Sequence, residues 1–110
     1  MPSDWATTQN NLGNALLARG EIAGDVAQME AAATAYRAAL EVRTREAMPS
    51  DWASTQNNLG IALRALGKIA GDVAQLEAAA TACRAALEVH IREAMPVSYT
   101  HLTLPTIYPV

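Results

Sequence analysis

The sequence predicts an all-α fold, helix–turn–helix repeats stacked as an α-solenoid with two repeats, four main helices and an irregular tail. Three observations predict it. Residues 1–47 and 48–94 align without a gap and differ at nine positions only: 7/54, 14/61, 17/64, 19/66, 21/68, 29/76, 36/83, 43/90 and 44/91. A fixed period of that size marks an array of repeated units. Of the 110 residues, 24 are alanine, the strongest helix former, and all 24 fall inside the two copies. Apolar residues then recur at helical spacing, with Pro and Gly between the runs.

Each unit reads as two helices. Pro2-Ser3-Asp4 opens the first, with Ser3 or Asp4 placed to cap free N–H groups. Trp5, Leu12, Ala15 and Leu16 follow at helical spacing, and Gly20 is the expected stop. The second helix starts after Gly24, where Asp25 and Gln28 have the spacing of a capping box. Val26, Met29, Ala33, Tyr36 and Leu40 form one apolar stripe. This helix is expected to run to about Ala47, because Pro49 biases Met48 away from helical backbone. Its length would be roughly 32 Å at 1.5 Å per residue. The second unit repeats the plan with Trp52, Leu59, Leu63, Gly67, Asp72, Val73, Leu76, Cys83, Leu87 and Pro96.

Neither helix pair buries its stripe alone, so stacking supplies the core and stability is shared along the array. Trp5 and Trp52 are expected at repeat junctions. Met29/Leu76 keeps apolar character at a core position, whereas Glu21/Lys68 and Arg43/His90 change charge where solvent is expected. Glu41 and Arg45 have the spacing of an i,i+4 ion pair on a solvated helix end.

Composition excludes several functions. Eight Lys and Arg against eleven Asp and Glu leave a net charge of −3, too acidic for a protein held to nucleic acid by its charge. A single cysteine excludes a disulfide framework and a Cys-rich zinc site. No apolar run is long enough to span a membrane. The start, Met1-Pro2-Ser3-Asp4-Trp5, lacks the pattern of a signal peptide, and a cytoplasmic chain is the expectation. Catalytic chemistry finds no constellation either. Cys83 stands on an apolar stripe, His90 on a solvated face, and Gly20-Glu21-Ile22-Ala23-Gly24 lacks the Lys-Ser/Thr of a phosphate loop. No cofactor or metal is expected, and the chain does not read as an enzyme.

The unit, with Leu12-Gly13, Ala15-Leu16, Gly20, Ala32, Tyr36 and Ala39-Leu40, resembles the tetratricopeptide repeat. The second copy matches with Leu59-Gly60, Ala62-Leu63, Gly67, Ala79 and Ala86-Leu87, and departs where Cys83 replaces the large aromatic. Its period of 47 residues exceeds the family's usual 34. This long unit, opened by Asp-Trp-Ala-x-Thr-Gln-Asn-Asn-Leu-Gly, looks like the kinesin-light-chain-like branch, which is common in large bacterial signalling proteins. The resemblance implies a right-handed superhelix whose concave face, lined by the first helices, binds a peptide or protein segment.

Carried over by position, that face holds Thr7, Asn10, Asn11, Asn14 and Leu17 in the first repeat, and Ser54, Asn57, Asn58, Ile61 and Arg64 in the second. Adjacent asparagines inside a helix carry a propensity penalty, and an amide offers both donor and acceptor to an extended backbone. The same amides also suit bonding to the neighbouring repeat, and both readings stand at this point. Asn10 and Asn57 occupy the place where related repeats put the lysine of a terminal-carboxylate clamp, which argues against that clamp. Two other roles fit an array of this kind: a spacer that associates with another copy through its open ends, or the sensor part of a larger signalling enzyme.

Met95-Pro96 begins a third copy in phase, and the composition then breaks. Val97 to Thr106 resembles the translation of a transposon-end sequencing adapter, GTC TCT TAT ACA CAT CTG ACG CTG CCG ACG. Ile107, Tyr108, Pro109 and Val110 fit its continuation through an index to a stop. The expected organisation is therefore repeat 1 over 1–47, repeat 2 over 48–94, a stub at 95–96 and a non-native tail over 97–110. Such a chain is an excerpt of a longer array, with Met1 standing where Met48 and Met95 stand in their copies, and marginal stability is expected of it.

Overall fold

The computed structural model describes residues 2–94. The stub and the tail, with the adapter reading placed on it, lie outside the described residues. Four helices follow in order: α1 over Pro2–Ala23, α2 over Val26–Val42, α3 over Pro49–Ala70 and α4 over Val73–Ala94. Helix α1 packs on α2, α3 packs on α4, and α2 packs on α3, while α1 and α3 touch lightly. This is the stacked all-α arrangement of two helical hairpins.

Helix ends show where local rules hold and where packing overrides them. The first helix of each unit runs past the expected stop at Gly20 to Gly24, and past Gly67 to Gly71. Both Gly24 (φ 64°) and Gly71 (φ 67°) adopt the left-handed conformation that a side chain disfavours. The Asp25 N–H reaches back to the Gly20 carbonyl at 2.9 Å, and the Asp72 N–H to Gly67 at 2.9 Å, closing both turns. Gly20 and Gly67 are instead sites of close approach inside the helices. A Cβ on Gly20 would meet Met29 Cγ at 2.9 Å, and one on Gly67 would meet Leu76 Cδ2 at 2.8 Å.

Asp25 caps α2 by accepting from the Ala27 N–H at 3.0 Å, and Asp72 accepts from Ala74 at 3.0 Å. The reciprocal half of the expected capping box is absent, for Gln28 Oε1 is buried with no hydrogen-bond partner among the described residues. Ser50 and Asp51 lie inside α3 rather than capping it. Pro49 takes the first helical position and Met48 precedes it without a side-chain cap.

The second helix departs from the expected length in one repeat only. Helix α4 has 22 residues, whereas α2 stops at 17. At Arg43 the backbone leaves the helix (φ −81°, ψ 89°). A turn follows, in which the Met48 N–H donates to the Thr44 carbonyl at 2.9 Å and the Ala47 N–H to Thr44 Oγ1 at 3.2 Å. The turn brings α3 back against α2. It also removes the helical register on which the Glu41–Arg45 pair depended. Arg45 lies instead over the Trp52 ring, 5.4 Å from its centroid, with Nη1 3.9 Å from Glu88 Oε2 of α4.

The core runs through both hairpins. Leu17, Ala32, Ala33, Tyr36, Leu59, Ala62, Leu63 and Ala79 form one buried cluster. A second cluster, Ala53, Ala86 and Val89 with Trp52 against it, joins α3 to α4. Alanine lets the helices approach closely, and the glycines sharpen this. A Cβ on Gly13 would stand 2.5 Å from Tyr36 Cε1, and one on Gly60 would collide with Cys83 Sγ.

Candidate interaction surface

The first helices, α1 and α3, carry the sequence-predicted residues in parallel stripes, and the structure sorts those residues by what holds them. The junction between the repeats is polar at one end, and Arg43 is its centre. This side chain, expected in solvent, is 8% exposed. Its counterpart His90 is exposed, as expected. Arg43 is buried because the backbone leaves α2 there and its side chain enters the gap between α1 and α3. Arg43 Nη1 donates to Thr55 Oγ1 at 3.0 Å, and Nη2 donates to Thr7 Oγ1 at 3.0 Å.

The asparagines extend this network. Thr55 Oγ1 donates to Asn10 Oδ1 at 3.2 Å, and Asn58 Nδ2 donates to the same oxygen at 3.2 Å. Thr7 also donates to the Ser3 carbonyl at 3.0 Å. Asn10 and Asn58 therefore bond across the junction, whereas Thr7 bonds Arg43 and Ser3 of its own repeat. Thr55 and Arg43 were absent from the predicted set. Thr55 stands three residues before Asn58 and so on the same helix face, and that spacing was the available signal for it. Nothing in the spacing signalled Arg43.

Asn14 accepts from the Tyr36 hydroxyl at 2.6 Å. Burial of the Tyr36 phenol, helped by the nearby Glu21 charge, pushes its pKa up to about 12. The donor and acceptor are both lost in the second repeat, where Ile61 replaces Asn14 and Cys83 replaces Tyr36. Losing both partners leaves no orphaned polar group, whereas losing one would. Leu17 sits in the core at 8% exposure. Asn11, Ser54, Asn57 and Arg64 are exposed, and Ile61 is half-buried.

One cleft lies within the junction itself. It has a volume of about 200 Å³ and is lined by Glu21 of α1, Met29 of α2, and Ile61, Arg64, Ala65, Lys68 and Ile69 of α3. Two of the predicted residues, Ile61 and Arg64, are in it. Glu21 and Lys68 extend the predicted stripes by one helical turn, four residues beyond Leu17 and Arg64. That continuation was the signal for them. The cleft has an apolar floor, two cations on one wall and one anion on the other.

Among the described residues no three His, Cys, Asp or Glu side chains gather as they would around a metal ion, and no helix is long and apolar enough to cross a membrane. The profile of a family described as tetratricopeptide repeat matches residues 5–46 and 52–92, one stretch in each copy. No curated protein and no solved structure matches the chain.

Proposed function

This chain belongs to the tetratricopeptide repeat family, a non-catalytic interaction fold, and from that premise we propose that it is a protein-interaction scaffold binding an extended segment of a partner across α1 and α3. The observation that carries this reading is the cleft between the repeats, where Ile61, Ala65 and Ile69 offer an apolar floor and Arg64 and Lys68 stand one turn apart on the wall. The segment that fits has an apolar side chain for the floor and an acidic group for the two cations. Exposed amides of Asn11 and Asn57, with Ser54, bond its backbone further along the stripes. Asn10, Leu17 and Asn58 support the surface through the bonds and packing that join the repeats, while exposed Thr7 and Asn14 are held by Arg43 and Tyr36 of their own repeat. The partner's identity is thus defined by chemistry, an apolar-acidic segment, with no nucleic acid, membrane or cofactor called for.

Selection of random peptides on the immobilised chain tests this. The expected result is enrichment of apolar-acidic motifs whose amide-shift footprint centres on Ile61, Arg64 and Lys68. Selected peptides whose footprint avoids α3 would overturn the reading.

A further inference from the structure

The two outer faces of the described hairpins repeat the two halves of the junction between them. Inside the chain, α2 and the second half of α1 receive Leu59, Ala62 and Leu63 of α3. At one end α1 presents the counterparts of those residues, Leu12, Ala15 and Leu16, and Leu12 is 47% exposed where Leu59 is 7%. At the other end α4 presents Leu76, Ala80 and Leu87, the counterparts of Met29, Ala33 and Leu40. Leu76 is 36% exposed where Met29 is 0%, and Leu87 is 56% exposed. A hollow of about 210 Å³ opens there beside Gly60, Leu76, Ala79 and Cys83. In the first repeat the same place is filled by the Tyr36 ring and by α3.

We propose that the α4 face receives α1 of a second copy, head to tail, in the register that α3 holds against α2. The occupant is fixed by continuity with the internal junction, since the two open faces repeat its two sides at 38 of 47 positions of each unit. The polar end is also reproduced in outline. His90 has the sequence position of Arg43 but stands on a helix that runs on to Ala94, so the last turn of α4 must open for it to lie between Ser54 of its own chain and Thr8 of the second copy. Asn57 takes the place of Asn10 and meets Asn11 of the second copy as Asn10 meets Asn58. Two positions weaken the contact relative to the internal one. Arg64 stands where the internal junction has Leu17, and Arg19 of the second copy stands where it has Leu66. Such an interface joins unlike surfaces, so association does not stop at two copies.

Sedimentation over a concentration series tests this. The mass of the native chain is expected to grow with concentration beyond that of a dimer. Leu12→Glu disables one end and Leu87→Glu the other, and both sites are exposed, so far-UV circular dichroism should be unchanged. Each variant alone is expected to be a single chain, and their mixture a one-to-one pair that grows no further. Arg64→Leu is expected to tighten association about tenfold, the effect of burying one leucine side chain, and His90→Arg to tighten it as well. A native chain that stays at one copy at every concentration overturns the proposal. So does association that persists in Leu12→Glu, because that would mean α4 meeting α4.

Discussion

At the scale of single residues, the most consequential group is one whose sequence position looked ordinary. Arg43 is a buried cation whose two named hydrogen bonds go to hydroxyl groups, so its charge is held by donor geometry alone. A charged donor left without an acceptor in such a place is penalised more than a neutral one. Thr55→Val keeps the shape but removes the acceptor for Nη1 and the donor to Asn10. We predict a loss of about 1–3 kcal/mol in stability by urea denaturation. Asn57→Ala, at an exposed position outside that network, is predicted to change the stability by less than about 0.5 kcal/mol.

Tyr36 supplies a second prediction at this scale. Its phenol holds a proton in the folded chain up to about pH 12, whereas the unfolded chain releases it near the ordinary value of 10.0. Between those values the folded state binds more protons, so stability present below about pH 10 is lost as pH rises toward 12. The urea midpoint of the native chain should therefore fall between about pH 9 and about pH 11. Tyr36→Phe should lack that part of the decline, at the expense of about 0.5–1.5 kcal/mol for the bond to Asn14. An identical decline in both chains would show that other groups govern the alkaline transition.

At the scale of helices, the repeat and the helix pairs were legible because alanine content, apolar spacing and Pro-Gly punctuation all agree. The ends were less so. Gly20 and Gly67 look like stops, but each is needed where the following helix crosses, and the left-handed turn falls four residues later. Helix α2 stops early although α4, nearly identical in sequence, continues. Local propensity is almost the same in the two, so the difference lies in packing, with α3 returning against α2 at Arg43. Gly71→Ala is predicted to cost about 1–2 kcal/mol through its left-handed backbone, with open space around the added methyl. Gly13→Ala acts differently, by driving a methyl into the Tyr36 ring, and is predicted to cost about 1–3 kcal/mol. Combining it with Tyr36→Cys, the residue of the second repeat, should recover part of that loss.

At the scale of the whole molecule, identical residues have unequal fates because a second hairpin covers one copy and not the other among the described residues. Leu12 and Leu59 share the run Gln-Asn-Asn-Leu-Gly, yet one is half-exposed and the other buried. The candidate surface was legible as two stripes of residues, but the partition of those stripes was not. Which asparagine bonds the neighbouring repeat depends on which side α3 occupies, a fact carried by stacking and not by spacing. Because one core cluster draws on all four helices, thermal unfolding is predicted to be a single transition. Thr55→Val should lower that transition without splitting it.

The central claim is that a partner segment is held in the cleft between the repeats and not on the Leu12 or Leu87 face, although Arg64 borders both the cleft and the hollow beside Leu76. Calorimetric titration of one selected apolar-acidic peptide tests it most directly, with dilute protein and two variants. Arg64→Gln combined with Lys68→Gln is predicted to weaken binding at least about tenfold, the loss of roughly 1.4 kcal/mol, with helicity unchanged. Leu12→Glu is predicted to bind as the native chain does. Full affinity in the first variant and lost affinity in the second would contradict the account, because the peptide would then be occupying an end face.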